Sequence, residues 1–141
     1  MLQQVFKDFA QLVVALSECC AAPPPYVILV EGFPNAGKSF LAKRLSASLG
    51  AVHVELDEFL NKGQGTYVAH IRYAELTQRL SNLISGSRSI VLDGVCAQEI
   101  LDRIELMMTA SVYVKRLVAN SWWDRRILGE AGSLGEVTCS R

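Results

Sequence analysis

The stretch that most limits what this chain can become is Gly32-Phe33-Pro34-Asn35-Ala36-Gly37-Lys38-Ser39, which meets the pattern GxxxxGK[ST] at every fixed position. Before it stands Val27-Ile28-Leu29-Val30, an apolar and mostly β-branched run of the kind that forms a buried parallel strand. After it, Phe40 to Leu49 continues with Leu41, Leu45 and Leu49 at helical spacing. A strand, a tight loop and a helix in that order make a phosphate-binding loop. Gly32 and Gly37 allow torsions and close approaches that a Cβ would block, so successive N–H groups can point at phosphate oxygens. Those donors sit at the positive end of the following helix. The candidate contact set is Gly32, Phe33, Pro34, Asn35, Ala36, Gly37, Lys38, Ser39 and Phe40. The Lys38 ammonium would bridge the β- and γ-phosphates, and the Ser39 hydroxyl would be a ligand for the accompanying Mg²⁺. The plain alternative, a glycine-containing surface turn, accounts for neither the strand before the loop nor the helix after it.

The remaining chain alternates in the same way. Residues 2–20 place Leu2, Val5, Phe6, Phe9, Leu12, Val13 and Leu16 at steps of three and four, which predicts an amphipathic helix over residues 1–22. Its apolar stripe would pack on the sheet or bind a partner, and packing avoids leaving so long a stripe exposed. Pro23-Pro24-Pro25 ends that helix. Ala51 to Leu56 reads as a second strand, residues 61–66 as a loop and Val68 to Ile84 as a helix. Ser89 to Asp93 reads as a third strand, Ala97 to Met108 as a helix and Ser111 to Val114 as a fourth strand. Leu117 to Leu128 is a further helix candidate, and residues 129–141, with three glycines and little apolar content, are expected to be loosely ordered. Such β-α alternation predicts an α/β fold with a doubly wound, mainly parallel sheet and helices on both faces, in which ligands bind beyond the carboxyl ends of the strands. The expected organisation is the helix of 1–22 followed by one domain over 23–141.

Two carboxylates fall at that end of the sheet. Asp93 follows Ile90-Val91-Leu92, the Walker B pattern, and would complete the metal site with Ser39, although Asp93-Gly94 could also be a simple turn. Asp57 ends the second strand, where phosphoryl transfer to a hydroxyl benefits from a base; the alternative is a helix cap. Strand alternation puts His53 on the face opposite Val52 and Val54, which assigns it a structural place, and His70 reads as a helix-surface residue. Lys115, Arg116, Arg125 and Arg126 are candidates for neutralising the transferred group, or else they belong to a solvated helix face. Trp122-Trp123 could stack on an aromatic ligand or divide between core and surface.

Charge and cysteine usage narrow the setting. Fourteen basic and fourteen acidic residues cancel, so no net field draws the chain to nucleic acid or an anionic membrane, and anion binding must be local. Cys19, Cys20, Cys96 and Cys139 form no CxxC pair or zinc pattern, and reduced thiols in a cytoplasmic protein are expected. The first 22 residues lack the charged and continuous apolar regions of a signal peptide, with Asp8 beside Lys7 and glutamines at 3, 4 and 11.

The three segments VILVEGFPNAGKS, VHVELDEF and SIVLDGVC resemble the P-loop small-molecule kinases, nucleoside- and nucleotide-type enzymes within the P-loop NTPase superfamily, and above all the uridine-kinase-like members. The similarity spans about residues 26–116. It implies a three-layer sheet of order 2-3-1-4-5, ATP with Mg²⁺, and phosphoryl transfer to a small hydroxyl-bearing acceptor, nucleoside-like or sugar-like. Lys38 and Ser39 would hold phosphates and metal, Asp57 would face the acceptor and Asp93 would support the metal. The chain departs from that pattern in two ways. Only Arg125 and Arg126 stand near the place of the arginine-rich lid, and no convincing fifth strand follows the fourth. The expected order is therefore 2-3-1-4, with the open edge covered by the N-terminal helix or by a second subunit in a homodimer.

Rival functions are a toxin-type phosphotransferase using the same parts and a nucleotide-binding regulatory protein derived from a kinase. A GTPase would want NKxD, and Asn61-Lys62-Gly63-Gln64 lacks the Asp. An ABC or AAA-type motor is set aside by length and missing signature elements.

Overall fold

The computed structural model describes residues 2–6, 8–20, 24–32, 37–61, 68–118, 121–122 and 131–139. Four strands form the parallel centre of the sheet: β2 (Val27–Gly32), β3 (Val52–Glu55), β4 (Ile90–Asp93) and β5 (Ala110–Val118). They lie in the order β3-β4-β2-β5, which is the expected 2-3-1-4 counted from the strand before the loop. Val30 and Glu55 both stand opposite Asp93 in register, so the carboxyl ends of β2, β3 and β4 meet at one place.

Strand alternation sorts the core onto two faces. Ile28 and Val30 join Val91 and Val112 under the helices α1 (Phe9–Cys19) and α2 (Lys38–Leu49), where Leu12, Leu16, Leu41 and Leu45 are buried. Val27 and Leu29 join Ile90 and Leu92 on the other face, under α3 (Tyr73–Ser85) and α4 (Ala97–Arg103). All four apolar residues of β2 from Val27 to Val30 are at most 5% exposed. At about 1.5–3 kcal/mol for burying each such side chain, they anchor the strand that leads into the loop. The short run between the turns thus packs helices on both sides, as a central parallel strand must.

At both ends of the chain the structure departs from expectation. The predicted helix of residues 1–22 is a strand, β1 (Leu2–Phe6), followed by α1. Asp8 separates them: its carboxylate accepts a hydrogen bond from the Ala10 N–H at 2.7 Å and caps the helix. The stripe of α1 packs on the sheet through Leu12 and Leu16. Within residues 129–141, expected to be loosely ordered, Ala131–Cys139 forms a strand, β7. It runs antiparallel to β5 from Ala110↔Cys139 to Val118↔Ala131, and β1 runs antiparallel along its far side. The open edge beside β5 is thus covered by β7 and β1, two strands in antiparallel ladders that stand where the family resemblance implies a parallel fifth strand. The stability of β7 comes from two backbone ladders, which need no apolar run.

Smaller differences follow the same logic. The predicted helix from Leu117 is instead the end of β5 and a short β6 (Ser121–Trp122); its remainder lies outside the described residues. The helix over 68–84 divides into a 3₁₀ turn (Val68–His70) and α3, while α4 stops at Arg103. Cys19 is disulfide-bonded, against the expectation of four reduced thiols, while Cys20 is a buried thiol and Cys96 an exposed one. Among the described residues no helix is long and apolar enough to cross a membrane.

Candidate functional site

The carboxyl end of β2 meets β5 more closely than side chains would allow. A Cβ on Gly32 would lie 2.5 Å from the Val114 carbonyl oxygen, and Gly32 has φ +156°. Here the glycine lets the chain leave the sheet. Phe33, Pro34, Asn35 and Ala36 lie outside the described residues. The chain is next seen at Gly37, φ +97°, from which α2 begins at Lys38. No side chain caps the start of α2 and its first turn holds no acidic residue, so its first backbone N–H groups have no side-chain acceptor from the helix itself.

Lys38, Ser39 and Asp93 come together there. The Ser39 hydroxyl donates to Asp93 Oδ1 at 3.3 Å, across 54 residues of chain. Asp93 is 5% exposed. Burial lowers the pKa of Lys38 from its ordinary 10.5, and the nearby carboxylates of Asp93 and Asp57 oppose that shift. The lysine therefore feels both expected acids. Phe40, the last of the candidate loop residues, turns its ring outward at 66% exposure, with the Arg44 guanidinium 5.9 Å from its centroid.

Asp57 sits in a 3₁₀ turn, Leu56–Phe59, directly after β3. Leu56 anchors the turn: it is fully buried, and a Cβ on Gly94 would meet its side chain at 2.7 Å. The turn is tied to the segment before α3. Asn61 N–H donates to the His70 carbonyl at 2.8 Å and Arg72 N–H to the Phe59 carbonyl at 2.6 Å. The Arg72 guanidinium donates to the carbonyls of Glu58 and Leu60 and to Glu75. Asp57 is exposed and, with Glu55, Glu58, Leu60, Asn61 and Arg72, lines an open pocket of about 750 Å³.

Reading the residues in order missed two further members of this cluster. His53 Nε2 is in direct contact with Asp93 Oδ2, so the purely structural place assigned to His53 is corrected. Glu55 stands opposite Asp93 across the β3–β4 ladder. Ligand atoms of His53, Glu55 and Asp93 all lie within 4.8 Å of one another. The signal was available: positions i and i+2 of the second strand share a face, and the order 2-3-1-4 puts that strand beside the third. Glu31 was also missed. Its Oε1 accepts the Gln98 N–H at 2.7 Å and so ties the end of β2 to the start of α4.

Arg125 and Arg126 lie outside the described residues, so their expected role in neutralising charge has no geometry here. Lys115 and Arg116 belong to β5, not to a solvated helix. The donors of Ser39 and Asp93 are oxygen only, the set that suits Mg²⁺.

Most of this core falls within a known family. A family model described as an AAA domain matches residues 27–105, from the first residue of β2 to just past α4. No curated protein matches the chain. The crystal structure of Bacillus subtilis YdiB is similar at 13% identity with a TM-score of 0.48, over 98% of this chain and 84% of that one. The match carries the AAA description, although the sequence reading had set aside a motor of that type.

Proposed function

The chain belongs to the AAA-domain family, and from its site we propose that it is a P-loop phosphotransferase that uses ATP and Mg²⁺ to phosphorylate a hydroxyl of a small molecule. The observation that carries this reading is that Lys38 lies within electrostatic reach of two carboxylates with different surroundings. Asp93 is buried and bonded to Ser39, whereas Asp57 is exposed at the mouth of a pocket. Binding a nucleotide requires only the first. An exposed carboxylate facing the same lysine supports transfer to an acceptor.

In this reading the amides at the start of α2 and the Lys38 ammonium hold the β- and γ-phosphates. Ser39 and Asp93 would hold the Mg²⁺, which supplies charge neutralisation between those phosphates when bound. The acceptor lies against Asp57, nucleoside-like or sugar-like, with its hydroxyl aimed at the γ-phosphorus. As its oxygen bonds to phosphorus, the bond to the β–γ bridging oxygen breaks, ADP departs, and the hydroxyl proton passes to the Asp57 carboxylate. The Arg72 bonds keep the turn that carries Asp57 in place. The absence of net charge supports a small acceptor over nucleic acid.

The test is ADP release from Mg·ATP by purified protein, alone and with pooled nucleosides, sugars and other small alcohols, with Lys38→Ala as control. Acceptor-dependent release should appear and should vanish in the control. Asp57→Asn should keep ATP affinity while transfer falls about 10²–10⁴-fold, the usual worth of a general base. Intact turnover in Asp57→Asn would remove the base assignment. ATP binding without acceptor-dependent release from any pool would favour a regulatory nucleotide-binding protein.

A further inference from the structure

We infer that His53, Glu55 and Asp93 form a second divalent-cation site, one that prefers Mn²⁺, Co²⁺ or Zn²⁺ to Mg²⁺ and shares only Asp93 with the nucleotide's metal. Three features of the fold lead to it. First, the two oxygens of Asp93 face different partners: Oδ1 accepts from Ser39, and Oδ2 meets His53 Nε2. The Ser39 side is the one the nucleotide's Mg²⁺ would use, and the His53 side is separate from it.

Second, the ligand atoms are delivered by backbone regularity and not by a mobile loop. His53 and Glu55 are alternate residues of β3, so they project from the same face, and β4 holds Asp93 directly opposite Glu55. The three ligand atoms fall within 4.8 Å of one another, so a small adjustment of the side chains brings them to the roughly 2.0–2.2 Å that an ion of this kind requires. His53 is 14% exposed at its side chain and Asp93 7%, which limits competition from water.

Third, the arrangement carries its own electrostatic demand. Two carboxylates directly opposite on neighbouring strands repel. Lys38 reaches Asp93 and Asp57, on the α2 side of the cluster. A cation between Glu55 and Asp93 Oδ2 relieves the repulsion where they meet.

The donor set selects the ion. One imidazole nitrogen with two carboxylates suits the first-row transition ions, whereas Mg²⁺ favours all-oxygen surroundings and keeps several waters. Three protein ligands also leave positions open for water or a substrate oxygen, as in catalytic zinc sites. Because one carboxylate serves both metal positions, an ion on Oδ2 reduces the negative charge that an ion on Oδ1 sees. The two sites therefore oppose each other, and a transition ion weakens Mg²⁺ binding on the Ser39 side.

The experiment uses the full chain without nucleotide or acceptor, so it stands apart from the phosphotransferase reading. Co²⁺ alone is titrated in and followed by its visible absorption bands; Mn²⁺ and Mg²⁺ alone are titrated by calorimetry. A single saturable site should appear, with Co²⁺ and Mn²⁺ bound more tightly than Mg²⁺ and without the ultraviolet bands of cobalt–thiolate bonds. His53→Gln and Glu55→Gln should each weaken Co²⁺ at least about tenfold, the lower end of what loss of even an outer partner costs. Ser39→Ala, which removes only a hydrogen-bond partner of Asp93, should weaken Co²⁺ less than either Gln variant does. Should His53→Gln fail to fold, Glu55→Gln at the sheet edge carries the comparison. The inference is overturned if no saturable site appears, if both Gln variants bind Co²⁺ as the native chain does, or if Mg²⁺ competes equally.

Discussion

Replacing Gly32 by alanine would place a methyl carbon 2.5 Å from the Val114 carbonyl oxygen, where ordinary contact begins at 3.4 Å. The neighbouring atom is backbone, held in the β2–β5 ladder by the pairing Gly32↔Val114, so no side chain can rotate to make room. The strands would have to part by the difference, 3.4 minus 2.5, about 0.9 Å. Such overpacking costs about 1–3 kcal/mol. Holding an alanine at φ +156° adds roughly another 1–3 kcal/mol. The expected loss is about 2–6 kcal/mol, a large share of the ~5–15 kcal/mol that stabilises a typical domain. At a mid-range urea slope of about 2 kcal/mol per molar, the unfolding midpoint followed by far-ultraviolet circular dichroism should drop by roughly 1–3 M. Nucleotide affinity, read with a fluorescent ATP analogue, should fall with it, because the same shift moves the loop's first anchor. A midpoint within about 0.3 M of the native value, together with undiminished affinity, would refute the claim that this close approach sets the loop's origin.

Gly94→Ala would press a methyl group into Leu56, which is fully buried, at 2.7 Å. It should cost about 1–3 kcal/mol and reduce acceptor-dependent turnover more than ATP affinity, because the displaced turn carries Asp57. Burial pushes the Cys20 thiol up to about 11 from an ordinary 9.0. Between those values the unfolded chain gives up the proton and the folded chain keeps it, so stability is full below about pH 9 and falls as pH rises toward 11. The total is on the order of 2–3 kcal/mol and should be missing from the pH dependence of urea midpoints in Cys20→Ala. Lys38 titrates below its ordinary 10.5 because it is partly buried, while bound phosphates favour its charged form. ATP affinity measured across alkaline pH should weaken before 10.5 is reached, and Lys38→Arg should flatten that decline.

What could be read in advance was what local pattern encodes. Val27–Val30, the Gly-Lys-Ser turn into α2, and Ile90–Asp93 each announce themselves within a dozen residues, and with them came the parallel sheet and the pairing of Ser39 with Asp93, while the order 2-3-1-4 came from the family resemblance. β7 did not, because Ala131–Cys139 is glycine-containing and sparingly apolar and is held by ladders to β5 and β1, far apart in sequence. Leu2, Val5 and Phe6 fit a helical period as well as a strand, and only the presence of β7 decides between them. His53 looked structural because strand alternation sets it on the face opposite Val52 and Val54, and nothing local shows that this face meets Asp93, 40 residues away. Asp57 was placed at the end of the second strand, yet its surroundings depend on Leu56 meeting Gly94, a contact no motif records.

The sheet treats the two halves of the site unequally. β2, which launches the phosphate loop, is flanked by β4 and β5, whereas β3, which brings His53 and Glu55 and leads to Asp57, ends the strand order with β4 as its one neighbour among the described residues. Releasing β2 means breaking two ladders, while releasing β3 means breaking one of four residues. Amide protons of β3 should therefore exchange with solvent through small local openings, while those of β2 wait for global unfolding. A rim strand of this kind can be reshaped by substitution without disturbing the strand that launches the phosphate loop, and under the proposed function that leaves the acceptor side free to vary while the nucleotide side stays fixed.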